Sequence, residues 1–193
     1  MWPWEHAAVG YLTYSVAVHL LRRRSPTGPE AIAVVSASVL PDAIDKPLAW
    51  EFGVFPSGYG LAHSVFFAGP LAAVVVGVAA AAGRSRVGVA FATGYLLHLA
   101  GDVMSHLLRD GTLPVSRVLW PVATTESAYP DGFVGTLREY AGDALSDVLS
   151  GPPSPYVLVV VGTVAGCVLL WVYDGMPGVS GPARYLRERL EKR

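Results

Sequence analysis

The sequence predicts an all-α fold, a polytopic membrane helix bundle of about five transmembrane helices with an amphipathic helix on its outer side. The composition is 52% hydrophobic and 15% charged, with a mean hydropathy of +0.44, whereas soluble domains carry about 25% charged residues. Residues 64–82 and 156–173 contain no charged side chain. Each run is long enough to cross about 30 Å of hydrocarbon as a helix, so a membrane bundle is the expected architecture.

The remaining apolar segments are weaker because they are short or include polar side chains. The first ends before three consecutive arginines, and the second is expected to end at Pro41, because proline removes a helical hydrogen bond. The whole chain, residues 1–193, is expected to form one integral membrane domain. Its spans are predicted near residues 7–21, 30–42, 63–82, 87–108 and 156–173, with an outer loop at 109–155 and a cytoplasmic tail at 174–193.

The outer loop is predicted to contain an amphipathic helix near residues 134–149. Apolar side chains recur there at helical spacing, namely Leu137, Tyr140, Leu145 and Val148. Two roles stay open for this helix: it covers a cavity from the membrane interface, or it only connects two spans. The basic tail from residue 181 onward is expected to form a surface helix on the cytoplasmic side.

The basic residues predict the orientation, because Lys and Arg of short loops are retained on the cytoplasmic side. With five spans, most of the 14 basic residues fall on one side of the membrane. They are Arg22, Arg23, Arg24, Arg84, Arg86, Arg184, Arg187, Arg189, Lys192 and Arg193. We therefore expect a multi-pass protein of the cell membrane with its N-terminus outside and its C-terminus in the cytoplasm.

Histidines and carboxylates gather toward the outer end of the segments that carry or adjoin them. A rise of about 1.5 Å per helical residue, counted from the cytoplasmic arginines, places these groups in the outer half of the bilayer. They are His6, Asp42, His63, His98, Asp102 and His106. Ionisable groups at this depth are costly unless they pair, line water or bind an ion. A metal site is therefore expected, with mutual hydrogen bonding as the alternative, and His19 is left out because it lies near the inner arginines.

The fourth segment carries the strongest local motif, GYLLHLAGDVMSH. His98, Asp102 and His106 are spaced four residues apart, so on a helix they form one polar stripe. An imidazole and a carboxylate four residues apart can bind one cation together, as in helical zinc sites. Asp42 and Asp45 follow Pro41 and would by themselves indicate a solvated turn. Beside the histidines, they supply hard oxygen ligands and negative charge.

Five ordered motifs resemble those of the YdjM-type membrane-bound metal-dependent hydrolases. They are WEHAAVGYL, LPDAID, AHSVFF, GYLLHLAGDVMSH and GTLPVSRVLWPVA, within residues 4–123. The resemblance implies a set of metal ligands, namely His6, Asp42, Asp45, His63, His98 and Asp102. That family is in turn similar in pattern to zinc-dependent phospholipase C, which implies hydrolysis of a phosphoester. A His-Arg pair that is common in the family before the third motif is replaced here by Gly-Tyr-Gly at residues 58–60.

The predicted function is a hydrolase with one to three divalent metal ions that acts on a phosphoester or lipid-like substrate in the outer half of the bilayer. Asp45 is expected to serve as a base or bridging ligand, and Ser64 is expected to orient His63. His106 is expected to border the ligands. Zinc fits mixed His and Asp ligation best, and manganese or iron also suits it.

Two other classes of function stay open. A metal transporter or sensor needs similar ligands, but a transporter also needs a polar path inward, and the segments below the site offer mainly Ser36, Ser38 and Thr93. A haem carrier would use His6 and His19, but His19 lacks a facing histidine. Membrane lipids and a small-molecule or lipid substrate are the expected partners. A net charge of −1 without a nucleic-acid motif argues against nucleic acid.

Overall fold

A computed structural model describes residues 1–127, 131–149, 152 and 154–179. The secondary-structure elements in these residues are all helical. This confirms the predicted all-α class, since no strand occurs among these residues. The α helices are α1 Pro3–Arg22, α2 Gly28–Trp50, α3 Val65–Ala81, α4 Ser85–Asp110, α5 Gly132–Leu149 and α6 Pro155–Tyr173, and a short 3-10 helix spans Val115–Val118. The tail helix predicted from residue 181 onward lies outside the described residues.

The helices begin at residues whose side chains bind the free amides of the first turn. Glu30 in the first turn of α2 accepts hydrogen bonds from the Thr27 amide and hydroxyl, both at 2.7 Å. Ser64 accepts from the Phe66 amide at 3.2 Å and so caps α3. Ser154 accepts from the Val157 amide at 3.3 Å and caps α6. These local contacts satisfy donors that have no partner within the helix, and thus define where each helix starts.

Helix α2 does not end at Pro41, so the prediction of a boundary there was wrong. The helix continues through both Pro41 and Pro47 to Trp50. Proline removes one backbone hydrogen bond, but Pro41 is fully buried among neighbouring helices, whose packing offsets that loss. As a result, Asp42, Asp45 and Lys46 belong to one continuous helix and not to a solvated turn.

The central contacts of the bundle join α2 to α4 and α1, while α3 packs on α4 and α6 packs on α1. Helices α2 and α4 approach so closely that a side chain at Gly94 would collide with the backbone carbonyl of Val34. Val34 also belongs to a buried apolar cluster, which includes Tyr11 and Tyr14 of α1. The bundle is therefore closed at this level, between its two polar ends.

The C-terminal end of α6 is attached to α1 through Asp174, whose side chain is fully enclosed. Its carboxylate accepts hydrogen bonds from Tyr11 at 2.7 Å and Ser15 at 2.6 Å, and it pairs with His19 Nε2 at 2.6 Å. Burial by itself raises the pKa of Asp174, but the hydrogen bonds from Ser15, Tyr11 and His19 outweigh burial and hold the pKa below its ordinary value. His19 is thus engaged far from the other histidines.

Two helices of the described part are long and apolar enough to cross a membrane, Ser85–Leu108 and Pro155–Tyr173. Val65–Ala81 is apolar but shorter. Helices α1 and α2 include buried ionisable side chains, which lower their mean hydropathy. Two spans are therefore supported by length and composition, and the predicted five-span arrangement stays a prediction.

The predicted amphipathic helix exists as α5, two residues longer at its start than the sequence pattern indicated. Its first turn contacts the end of α2: the Phe133 amide donates to Glu51 at 3.1 Å, and the Phe133 and Trp50 rings lie 5.6 Å apart. Val134 and Leu137 remain exposed. The helix thus packs on the end of α2 that lies beyond Asp42 and Asp45.

Candidate metal centre

Asp42, His63, His98 and Asp102, hereafter the four-residue cluster, converge from three different segments. Asp42 lies on α2, His98 and Asp102 lie on α4, and His63 lies in the loop that leads into α3. All four residues are at most 3% exposed. Each offers one potential ligand atom, and these atoms lie within 4.8 Å of one another. A buried group of this kind can hold a metal ion.

The separations within the four-residue cluster match the spacing of ligands around a single cation. His63 Nε2 lies 3.0 Å from His98 Nε2, and it lies 3.3 Å from Asp42 Oδ1 and 3.4 Å from Asp102 Oδ2. His98 Nε2 lies 3.7 Å from Asp42 Oδ1 and 3.5 Å from Asp102 Oδ2. Tetrahedral zinc bonds of roughly 2.0–2.1 Å require ligand atoms about 3.3 Å apart. The donor set and most of these separations therefore suit a divalent cation.

Hydrogen bonds at the opposite ring nitrogens orient both imidazoles of the four-residue cluster. His63 Nδ1 donates to Asp45 Oδ2 at 2.8 Å, and His98 Nδ1 donates to the Ser38 carbonyl at 2.7 Å, since a carboxylate and a carbonyl can only accept. In the neutral rings, both Nε2 atoms then carry lone pairs that face each other. Two facing lone pairs repel each other, and a cation bound by both nitrogen atoms would remove that repulsion.

Two carboxylate oxygens of the four-residue cluster lack a hydrogen-bond partner among the described residues. They are Asp42 Oδ1 and Asp102 Oδ2, the oxygens nearest to the imidazole nitrogens. Buried carboxylates are costly when their charge is not balanced. The second oxygen of Asp42 is balanced by Lys46, whose ammonium donates to it at 2.6 Å. A metal ion bound to Asp42 Oδ1 and Asp102 Oδ2 would balance the negative charge of these two oxygens.

Asp45, which was predicted to be a base or a bridging ligand, lies behind His63 and outside the four-residue cluster. Its oxygens accept hydrogen bonds from the amides of Gly60, Ala62 and His63 at 2.9–3.1 Å, in addition to the His63 ring. The side chain is fully buried. Both oxygens are thus occupied in holding the loop and the imidazole, which is the placement of a positioning residue.

His6 lies at the edge of the four-residue cluster, on α1. Its ring stacks on that of His98 with centroids 3.8 Å apart, and its Nε2 lies 3.1 Å from Asp102 Oδ1. The amino group of Met1 lies 3.1 Å from the same oxygen. Neither ring nitrogen of His6 has a hydrogen-bond partner among the described residues. His6 and the outer oxygen of Asp102 therefore form a second pair of ligands beside the first set.

Two other predicted site residues, Ser64 and His106, lie outside the four-residue cluster. Ser64 donates to the Trp120 carbonyl at 2.5 Å and accepts from the Phe66 amide, so it caps α3 and fixes the chain next to His63.

His106 lies one helical turn beyond Asp102, where its Nε2 contacts the guanidinium of Arg117. The structure does not bring His106 into the four-residue cluster.

Sequence reasoning missed three side chains near the centre, namely Lys46, Tyr59 and Arg117. The Tyr59 ring meets the His63 ring edge-on at 5.1 Å, and the Arg117 guanidinium lies 4.5 Å above the Tyr59 ring. Arg117 also donates to the Tyr59 hydroxyl at 2.9 Å. Lys46 follows Asp42 by four residues, which predicts an ion pair on a helix. The expected helix end at Pro41 excluded this interpretation. Arg117 and Tyr59 come from separate loops and share no spacing signal.

The family model described as YdjM inner membrane protein matches residues 1–176 of the chain. The match includes all members of the four-residue cluster as well as His6 and Asp45. No curated protein matches the chain, and no solved structure matches it.

Proposed function

The chain belongs to the YdjM inner membrane protein family, and on that premise we propose that it is a metal-dependent hydrolase of a membrane phosphoester. The observation that carries the proposal is the spacing of the four-residue cluster. Its ligand atoms are buried, unpartnered in part and separated as the ligands of a cation are. Ionisable groups inside a membrane protein that converge in this way mark a functional site.

The ligand arrangement supports more than one metal ion. Asp42, His63, His98 and Asp102 Oδ2 form a complete set for one zinc ion, and such closed sets are typical of structural zinc. Asp102 Oδ1 lies 3.1 Å from His6 Nε2 and 3.1 Å from the Met1 amino group, so His6 and Asp102 would hold a second ion if that amino group moved away. His6 and Asp102 alone leave coordination positions open for water and substrate. The hydrolase proposal therefore places reactivity on the His6 side of the centre.

A divalent cation at this site supplies a Lewis acid that polarises the ester and makes water more acidic. Hydrolysis forms one P–O bond from water and breaks the P–O bond to the alcohol, which leaves with a proton. The protein holds the ligands in place through Asp45 and Ser38, which orient His63 and His98. Lys46 and Arg117 place positive charge near the centre, so they suit an anionic ester.

We place the centre in the outer half of a five-span bundle. In this arrangement α1, α2, α3, α4 and α6 cross the membrane, and their cytoplasmic ends carry the clustered arginines. The ionisable groups of α1 and α2 then face the bundle interior, as buried charges in membrane helices do. The substrate would approach from the outer leaflet or along the helices from the bilayer.

The closed packing inward of the centre argues against a transporter. Gly94 of α4 lies against the Val34 carbonyl of α2, and the apolar cluster with Tyr11 and Val34 lies beneath. Transport routes show paired polar groups along their length. The polar groups at the inner end, such as Asp174 and His19, are already engaged with each other.

Elemental analysis of the detergent-purified protein, together with a screen for phosphoester hydrolysis, tests the proposed function. We expect zinc, manganese or iron in the wild type, and loss of most of that metal in the His98→Ala, Asp102→Ala double variant, because two ligands leave one helix face. The helical content should persist, because helix insertion depends on apolar length. Leu96→Ala with Thr93→Ala is the matched control on α4. Metal content unchanged in the double variant, or metal without hydrolysis of any phosphoester, would refute the hydrolase.

A further inference from the structure

A groove of about 270 Å³ runs along the bundle between α4 and α6, with α1 as its floor. Leu97 and Met104 of α4 form one wall, and Val160 and Val164 of α6 form the other. Helix α6 packs on α1 and not on α4, which leaves the groove accessible from the side. Since α6 exposes apolar side chains along its length, the groove faces the hydrocarbon of the bilayer in the five-span arrangement.

The groove borders the candidate metal centre at Gly101. This residue lines the groove together with Met1 and Glu5. A Cβ atom added at Gly101 would lie 3.0 Å from Met1 Sδ and 3.4 Å from His6 Nδ1, so the His6 ring and the Met1 side chain lie directly beside the groove wall at this residue. His6 Nδ1 has no hydrogen-bond partner among the described residues. The groove thus ends on the side of the centre where coordination positions are open.

The lining of the groove is predominantly apolar along its length, which suits a hydrocarbon chain. Two polar side chains, Glu5 and Ser105, line it near the candidate metal centre, where Glu5 accepts a hydrogen bond from the Tyr156 hydroxyl at 2.9 Å and Ser105 donates to the Asp102 carbonyl at 3.1 Å. A molecule with a hydrocarbon tail in the groove would place a polar head near Asp102.

We propose that the groove binds the hydrocarbon chain of the substrate, a membrane amphiphile whose phosphoester group reaches His6 and Asp102. This inference rests on the proposed function and adds the substrate class, since it makes chain length a determinant of turnover. Chain binding here removes apolar surface from contact with mobile lipid and fixes the ester beside the centre. Catalysis gains from such positioning because the reacting group is held at one place.

Substitution of Val160 by Trp tests the groove, with Val161→Trp as the matched control. Val160 lines the groove, whereas Val161 lies next to it on the same helix and is 60% exposed on another face. Dodecyl phosphate and ethyl phosphate serve as long-chain and short-chain substrates. We expect Val160→Trp to lower kcat/KM for dodecyl phosphate by about tenfold or more, because buried CH2 groups contribute to binding. Ethyl phosphate turnover should change less than about twofold, and Val161→Trp should match the wild type.

A dodecyl phosphate that carries a photoreactive diazirine on its chain gives a readout that does not require turnover. Its adducts should map to α4 and α6 in the wild type and in Val161→Trp, and should be lost in Val160→Trp. Ala100→Phe fills the groove from α4 and replaces Val160→Trp if the latter loses its metal. Adducts elsewhere, or equal loss of turnover for both substrates in Val160→Trp, would overturn the proposal. Adducts in the groove without hydrolysis would instead refute the proposed function alone.

Discussion

Asp45 shows how one buried side chain can serve a metal centre without touching its ligand atoms. Three backbone amides and the His63 ring donate to its two oxygens. These bonds fix the loop before α3 and present His63 Nε2 to Asp42, His98 and Asp102. A role as base or bridging ligand stays a prediction, and the hydrogen bonds in the structure support a role in orienting His63.

Asp45→Asn is expected to lower metal affinity by about 10–100-fold, the usual effect of losing a carboxylate that orients a metal-binding histidine. The amide nitrogen would face a backbone N–H donor, so at least one hydrogen bond must be lost. Competition with a chelator during metal titration measures the affinity. Asp131→Asn, on an exposed aspartate, is the control. Wild-type metal affinity in Asp45→Asn would show that His63 does not depend on this contact.

Arg117 and Lys46 also act at the scale of single residues. The expected His-Arg pair is absent from residues 58–60, but the structure brings the guanidinium of Arg117 over the ring of Tyr59 in that same loop. Lys46 neutralises one oxygen of Asp42. Positive charge therefore reaches the surroundings of the centre from Arg117 in the fifth motif and from Lys46 directly after the second, and not from residues 58–60.

At the scale of elements, α2 and α6 show two different ways of stabilising a helix in the bundle. Helix α2 is held by burial between α1 and α4, which offsets the hydrogen bonds lost at Pro41 and Pro47. Helix α6 has no buried residue of its own and packs mainly on α1. Hydrogen bonds to α1 hold it near both ends, from Tyr156 to Glu5 near its start and at Asp174 just after its end.

Asp174→Asn is expected to destabilise the bundle by about 1–3 kcal/mol, because enclosed donors on Tyr11, Ser15 and His19 lose a charged acceptor. The midpoint of unfolding in sodium dodecyl sulfate measures the change, and Asp131→Asn serves as the control. Since the pKa of Asp174 is lowered by folding, its contribution is present above the ordinary value of 3.8 and is lost as the pH falls through the lowered pKa. An equal midpoint for Asp174→Asn and the wild type at neutral pH would contradict this attachment.

At the scale of the whole molecule, the structure separates two polar ends by an apolar middle. The metal centre lies at one end, and the Asp174 and His19 contact lies at the other. Between them, α2 and α4 meet at Gly94. The arginine distribution predicts that the His19 end faces the cytoplasm.

Cysteine labelling in intact cells tests that orientation. In a Cys167→Ser background, an impermeant maleimide is expected to label Ser127→Cys without permeabilisation. Val179→Cys, beyond the inner end of α6, should react only after the membrane is opened, because basic loops are retained in the cytoplasm. Both positions are exposed, so reactivity reports sidedness. Equal labelling of both positions in intact cells would exclude the proposed orientation.

Local patterns in the chain predict the helical class, most of the helix limits and the residue types of the candidate site. Apolar length and capping residues such as Thr27 and Ser64 act over a few neighbouring positions, so they are visible in the chain. The stripe of His98 and Asp102 was visible for the same reason, since four residues make one helical turn.

The grouping of these side chains depends on how the helices and loops pack. His63 donates a hydrogen bond to Asp45, Ser64 donates to the Trp120 carbonyl, and Arg117 donates to the Tyr59 hydroxyl from a segment far along the chain. Each of these contacts depends on how helices and loops pack, which no local pattern encodes. The continuation of α2 through Pro41 has the same origin, because burial between neighbouring helices outweighs a local hydrogen bond.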